Sequence, residues 1–529
     1  MQVDTLIIGS GIAATALAQR LLDKNRNASI LLLEAGSHVM TRDSALWENY
    51  LVTGNLPYDQ FKDLNYPQKD KPGENANIGG TEVPLAGSRV ITVGGSTIHW
   101  GGWSFRLKPE DFKLRTNTGF GIDWPISYSD LESYYGEAEH YIGISGDSDD
   151  PSVPRSRKYP FSPFPFSLQD QPVARALEAL NIPYGNVPIA RYGVGENNQN
   201  QVPCQTTGTC KYCPFGSRFN ATDRLSDMIS SNEYQNFNII SGAVVEEIVI
   251  TSKSQIGGVI YLDKASVKLI QVDAQRVVIA AGSIESAKLL LRSTSPDWKK
   301  GLGNDSDIVG RNLVTHPYFI FTGTIKENPL QLQPEMNFPT LCTRHFDSSA
   351  EQGAGKFILV NPADTVPVKL ASQMHSGMMR DGLNSYVSGP NQVQLHGMIE
   401  VFGELHNRVT NFPSRNHLGM FETSVDFTKD SNFDIRMGQI QEHVDKIFQN
   451  MGAQIVGKPS ISWRADHAAS VCRMSNDPAS GVLDKNLQVF GLDNLFVCSN
   501  AAFSSIGAVN PTLTLTALAI RLGDYLANE

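Results

Sequence analysis

The chain begins with an apolar run, Val-Asp-Thr-Leu-Ile-Ile over residues 3–8, that stops at a glycine. This is the pattern of a short strand buried in a parallel sheet. Gly9-Ser10-Gly11-Ile12-Ala13-Ala14 follows, then a helical stretch through Leu17, Leu21 and Leu22. Residues 29–33 read as a second strand, ending in Glu34-Ala35-Gly36. Strands alternate again over residues 239–291. They close in Arg276-Val277-Val278-Ile279-Ala280-Ala281-Gly282-Ser283 before a helix through Leu289 to Leu291. From 316 to 460 the strand–helix rhythm fades, and this stretch holds most of the histidines and methionines. The rhythm returns at Leu495-Phe496-Val497-Cys498, with a helix from Pro511 to Leu526. The prolines between Asp150 and Pro172 predict a long surface connection. The pattern predicts an α/β fold. A Rossmann-like domain is assembled from residues 1–315 and 461–529, and 316–460 forms a second, sheet-based α+β domain.

Composition narrows the classes. The 529 residues are 41% hydrophobic, 19% charged and 9% aromatic, which is ordinary for a globular protein and excludes collagenous, coiled-coil and disordered chains. No apolar run approaches the length of a membrane-spanning helix. With 44 basic against 54 acidic residues the net charge is −10, so nucleic acid and anionic membranes are not expected partners. Six cysteines in such a length are no disulfide framework. Met1 to Asp4 leads straight into the first strand without a basic stretch, so no leader is expected here and the cytoplasm is the default address.

The opening unit has the order strand, Gly-x-Gly-x-x-Ala, helix, strand, acid. Gly9 permits the tight turn, Gly11 lets a pyrophosphate approach the backbone, and Ala14 takes the third glycine position. Free N–H groups at the helix start attract phosphate, and Glu34 is spaced to grip a ribose hydroxyl. The unit suits NAD and FAD alike. The strand closing on Ala281-Gly282 is a second place where backbone can approach a cofactor.

Several further stretches share a pattern. They are Val93-Gly94-Gly95-Ser96-Thr97-Ile98-His99-Trp100, Asp123-Trp124-Pro125-Ile126, and Val309-Gly310-Arg311-Asn312-Leu313 with His316-Pro317. The block from Cys472-Arg473-Met474 to Asn510-Pro511-Thr512-Leu513-Thr514 completes the set. Together with the opening unit, they resemble the glucose–methanol–choline (GMC) family of FAD oxidoreductases. The sugar branch, with its pyranose oxidases and FAD-dependent glucose, fructose and glucoside 3-dehydrogenases, is the most similar part. The resemblance covers most of the chain and is weakest between 330 and 450. It implies hydride transfer from an alcohol carbon to flavin N5 while a histidine takes the hydroxyl proton. The matching positions are His467 for the base and Asn510 for its partner. Neutral imidazole is a suitable proton acceptor, and a carboxamide orients the same oxygen without competing for the proton. Asn510 before Pro511 also reads as a helix cap with proline in the first turn. The resemblance puts His99 against the flavin ring, with covalent attachment open, and lets Gly94 and Gly95 bring backbone close to the flavin. It further places Asn500, Ala501, Pro511 and Thr512 at the cofactor. Trp100, Trp103, Trp124 and Trp463 offer stacking surfaces.

Cys204, Cys210 and Cys213, followed by Pro214, suit iron–sulfur ligation. The sugar dehydrogenases resembled carry a three-iron cluster (3Fe-4S) on a similar trio, with a last gap one residue longer. A Cys210–Cys213 disulfide, a zinc site lacking its fourth ligand, and incidental loop thiols are the alternatives. Cys342, Cys472 and Cys498 read as buried small hydrophobes. With a cluster, electrons leave one at a time to a cytochrome c-type carrier. Without it, dioxygen or a quinone fits better.

The expected function is oxidation of a sugar or glycoside hydroxyl. A non-sugar alcohol as substrate and an oxygen-using pyranose oxidase are the nearest alternatives. A non-catalytic flavoprotein and a plain NAD dehydrogenase explain less of the chain. Dehydrogenases of the resembled type are also exported with a small accessory subunit, which makes the periplasm a second address. In the 316–460 stretch, His316, Glu404 and His406 are weaker candidates for contact with substrate.

Overall fold

A computed structural model describes residues 2–39, 41–55, 57, 75–85, 87–193, 202–231, 233–325, 338–362, 366–388, 391–416 and 419–529. The mixed α/β architecture expected from the pattern is what the chain forms. The strand Gln2–Ile8 pairs in parallel with Ile30–Glu34 on one side and with Lys268–Ile279 on the other. Phe237–Ser241 extends the sheet beyond Ile30–Glu34. Lys268–Ile279 changes company along its length. Its first half is antiparallel to Gln255–Asp263, and its second half lies between Gln2–Ile8 and the late strand Leu495–Val497. Ala243–Ser252 completes the seven strands.

Two helices cover this sheet and pack on one another. Ile12–Lys24 buries Leu17, Leu21 and Leu22, and Thr512–Ala527 buries Leu513, Leu518 and Leu522. They cross closely at Gly523, where a Cβ would lie 2.7 Å from Arg20 Cγ. Arg20 then pairs with Asp524 at 2.7 Å. The discontinuous assembly follows from burial: the parallel strands are apolar on both faces and need cover on each.

The second sheet is antiparallel throughout. Its order is Gln454–Ile455, Pro317–Ile325, Asn391–Ile399, Phe357–Asn361, Leu341–Thr343 and Gly185–Asn186, with Ser460–Trp463 also on Pro317–Ile325. One face is apolar: Phe319 and Phe321 pack with Phe433, Val444 and Phe448 of the helix Phe433–Asn450. Three pieces cross the division expected at 315 and 461. The helix Asp170–Ala179 buries Val173 and Leu177 in this second core, and Gly185–Asn186 adds an edge strand to it. In the other direction, the hairpin Arg408–Arg415/Phe421–Asp426 packs Val409 and Val425 into the first core. Lys288 pins the hairpin there, donating to the Phe421 carbonyl at 2.7 Å and to Thr423 Oγ1 at 2.9 Å. Among the described residues no helix is long and apolar enough to cross a membrane.

Candidate active site

The C-terminal ends of the parallel strands open into a cleft, the usual binding place of such sheets. The cleft encloses about 1450 Å³ of empty space, part of it open to solvent. Three helices start at its wall: Ile12–Lys24, Gly282–Arg292 and Thr512–Ala527. None has a side-chain cap, and the first and third carry no acid in the first turn. Their leading N–H groups are therefore left for a ligand, and the helix dipoles favour an anionic one. Gly9 has φ +101°, and a Cβ there would sit 2.6 Å from the Ala280 carbonyl oxygen, so only glycine makes this turn. At Gly11 and Gly282 a Cβ would meet no atom within 4 Å, which leaves bare backbone facing the cleft.

Glu34 is buried at the cleft wall. Its Oε2 accepts from the Ser10 hydroxyl at 2.7 Å and from the Ser10 N–H at 3.1 Å, and its Oε1 accepts from the Gly36 N–H at 2.8 Å. Burial raises its pKa and these bonds oppose the rise. Ser283 Oγ and Asn500 Oδ1 line the same cleft and are buried without a hydrogen-bond partner. Orphaned polar atoms in the wall, beside bare backbone and uncapped helix starts, fit a large phosphorylated cofactor such as FAD.

The remaining expected residues fall in two groups. Gly95 and Thr512 line the cleft. Ala14 and Ala501 are fully buried behind it, where they pack. Gly94 is glycine for a different reason than the one expected. A Cβ there would lie 2.1 Å from Thr222 Oγ1, so it admits the helix Ala221–Ser230. The Asn510 cap is also corrected. Pro511 occupies the cap position of Thr512–Ala527 and no side chain caps it, because Asn510 turns instead to His467. His99 follows the short helix Gly95–Ile98, and its Nδ1 is buried without a partner. Burial and the nearby Arg218, Arg464 and Lys211 push its pKa down to about 4. Trp100 lines the cleft, whereas Trp124 is buried and donates to Ser505 Oγ at 2.8 Å.

His467 lies in the short turn Ala465–His467, between Asp466 and Ala468 of the cleft wall. Its Nε2 is 3.3 Å from Asn510 Nδ2. Its Nδ1 is 3.0 Å from Nδ1 of His316, whose Nε2 is 2.9 Å from the Gly507 carbonyl oxygen. The two rings are nearly perpendicular, at 89°. Burial, the facing His316 and Arg464 hold the His467 pKa well below the ordinary 6.5. Burial likewise lowers His316 to about 4. Both imidazoles are therefore neutral near neutrality, and this has a consequence for stability. An unfolded chain binds these protons from about pH 6.5 downward while the folded one does not. The stabilisation is complete above about pH 7 and is lost as pH falls toward 4. At pH 5, His316 alone costs about 2 kcal/mol. A thermal melt of the purified protein at pH 5 should fall several degrees below that at pH 7.5. Replacing His316 by asparagine should shrink that difference.

Cys204, Cys210 and Cys213 are free and partly exposed. Burial, and more weakly the neighbouring Cys210 and Cys213, push the Cys204 thiol up to about 11. Among the described residues no three His, Cys, Asp or Glu side chains are gathered as a metal ion would need. The trio does not fit a cluster in this geometry, and no step is derived through one.

Two features were hidden from sequence reasoning. One is the bond between His316 and His467. A row of polar side chains also crosses the second sheet from it. Tyr318, Ile320 and Thr322 share the face opposite Phe319 and Phe321. The Tyr318 hydroxyl meets His396 Nδ1, and His396 Nε2 is 2.9 Å from Gln394 Oε1. The period-two alternation of Pro317–Ile325 was the available signal. Glu404 and His406 have no place in this arrangement.

Known proteins resemble the chain along its length. Models of the GMC oxidoreductase family match residues 167–318 and 406–519. The fructose dehydrogenase large subunit of Gluconobacter japonicus is 27% identical, over 100% of this chain and 98% of that one. The 6'''-hydroxyparomomycin C oxidase of Streptomyces lividus is 25% identical, over 99% and 91%. Among solved structures, pyridoxine 4-oxidase from Mesorbium loti superposes with a TM-score of 0.66 at 17% identity, covering 100% of this chain and 99% of that one, which shows the shared fold. A glycine turn, a wide cofactor cleft and a neutral histidine at its wall thus stand where two family models also match, and the chain belongs to the GMC family of FAD-binding oxidoreductases, which act on CH–OH groups.

Proposed function

We propose that the protein oxidises a hydroxyl of a sugar or glycoside to the carbonyl, with His467 as the base. The observation that carries this reading is the His467–Asn510 pair beside the cleft, with an imidazole that burial keeps neutral. The residues that would hold FAD are Gly9, Gly11 and the first turn of Ile12–Lys24 at the pyrophosphate, Glu34 at a ribose hydroxyl, and Gly95, Gly282, Asn500 and Thr512 at the remainder, with His99 and its unpartnered Nδ1 between Gly95 and Trp100 in the chain. When bound, FAD supplies the acceptor for the hydride. The chain supplies the rest. Asn510 donates an N–H to the substrate oxygen and fixes its direction. Nε2 of His467 takes the hydroxyl proton as the carbon–hydrogen bond breaks. The uncapped start of Thr512–Ala527 favours negative charge near the reacting centre.

The sugar class is supported by the polar row Tyr318, Thr322, Gln394 and His396, which runs from the histidine pair across the sheet. These side chains bond to one another, Gln394 also to Thr322, and form a polar surface whose bonds a sugar's hydroxyls can extend. The first relative named above is a large subunit, which supports a smaller accessory subunit here. The test is the visible spectrum of the purified flavoprotein under anaerobic conditions, titrated with free sugars, glucosides and simple alcohols. Flavin bands that bleach with one sugar class carry the proposal. Bleaching by simple alcohols alone transfers the reading to a non-sugar alcohol oxidoreductase.

A further inference from the structure

We infer that His316 is a positioning residue for the reaction: it holds His467 in the one neutral tautomer that can act as a base. The inference rests on the reading of His467 given above. It starts from the far end of the hydrogen-bond chain. The Gly507 carbonyl has no proton to give, so across the 2.9 Å contact His316 Nε2 must be the donor. A neutral imidazole with its proton on Nε2 has a bare Nδ1. His316 Nδ1 is therefore an acceptor, and across the 3.0 Å contact His467 Nδ1–H must donate to it. That leaves His467 Nε2 unprotonated. On its other side lies Asn510 Nδ2, an N–H donor, at 3.3 Å, which is consistent with a lone pair there.

Every link thus points one way: Asn510 N–H to His467, His467 N–H to His316, His316 N–H to the Gly507 carbonyl. A buried carbonyl at one end sets the proton position at the other. His316 is 3% exposed, so water cannot take over its role. Gly507 is itself held in place. It has φ +54°, and a Cβ there would meet Asp111 at 3.2 Å and Leu107 at 2.9 Å. When the substrate hydroxyl arrives, its proton passes to Nε2 and its oxygen takes the Asn510 N–H. One O–H bond is replaced by one N–H bond, and the hydride goes to the flavin. His467 in the other tautomer would present an N–H and could take nothing.

Two substitutions separate this role from mere packing. His316→Phe keeps the ring shape and removes the acceptor. His316→Asn keeps an acceptor oxygen near the position of Nδ1. In anaerobic stopped-flow reduction with a bleaching substrate, His316→Phe should slow the limiting rate on the order of 100-fold with substrate affinity little changed. His316→Asn should recover most of that loss. The second readout is independent of turnover. Nitrogen-15 NMR of histidine-labelled, flavin-loaded protein without substrate should place the His467 proton on Nδ1, both in the unaltered protein and in His316→Asn. In His316→Phe the signal should move toward the Nε2–H form. Equal slowing in both variants, or a proton on Nε2 in the unaltered protein, overturns the inference. The spectrum of the unaltered protein decides the matter even if His316→Phe fails to fold. His467→Ala in the same assay keeps the two readings apart. If it reduces flavin within about tenfold of the unaltered rate, the base assignment falls. If it does not, while His316→Phe is as fast as the unaltered protein, only the role of His316 falls.

Discussion

His467→Ala should bind flavin normally and reduce it about a thousandfold more slowly, within the 10²–10⁴ range of general-base catalysis. The effect should be this large because neither hydrogen-bond partner of His467 can substitute. Asn510 is not basic, and the bare nitrogen of His316 is turned toward the vacated ring position and away from the cleft. The side chain contributes little to holding the cofactor, since the cleft wall at this turn is formed by its neighbours Ala465, Asp466 and Ala468. Flavin content and melting temperature should therefore stay near their starting values while the anaerobic reduction rate collapses. A reduction rate within tenfold of the unaltered protein removes His467 from the chemistry.

The second large effect concerns stability. Lys356 is fully buried, with its Nζ on Asp111 and 3.5 Å from Glu400. Both carboxylates are buried too, and neither Glu400 oxygen has a hydrogen bond among the described residues. Burial pushes the Glu400 carboxyl up to about 7, and the Lys356 charge is what restrains it. Lys356→Met takes from two buried acids their nearest cation, and should cost about 3–5 kcal/mol. Asp111→Asn added to it should recover a measurable part, because one of the stranded charges is removed. Urea denaturation of the single and double variants measures both. A loss below about 1 kcal/mol would mean that solvent reaches the cluster. The cluster also braces the site, because Asp111 packs on Gly507 and its carbonyl accepts from Ser505 at 3.1 Å.

What could be read from the chain was local. The Gly9 turn, the strands around it and the acid at Glu34 follow one another within a single supersecondary unit, so a linear pattern contains them. The Asn510 cap failed because a helix start offers its asparagine two uses, and a histidine 43 positions away took it. The His316–His467 bond joins residues 151 apart, and the Lys356–Asp111 bond residues 245 apart. Neither has a periodicity of its own. The hairpin at 408–426 likewise shows strand alternation but no hint that Lys288 will draw it onto the other core. The cysteine trio is close along the chain, yet among the described residues no three metal-ligating side chains are gathered as a metal ion would need.

The strand Lys268–Ile279 has Gln2–Ile8 on one flank and Leu495–Val497 on the other. During synthesis the first flank is available early, whereas the second stays open until the ribosome has passed residue 497. An apolar strand with an unfilled edge invites pairing with another nascent chain. The nucleotide site also lacks its third helix start until Thr512–Ala527 emerges. The cleft that would take the flavin is thus complete only after that helix has been made.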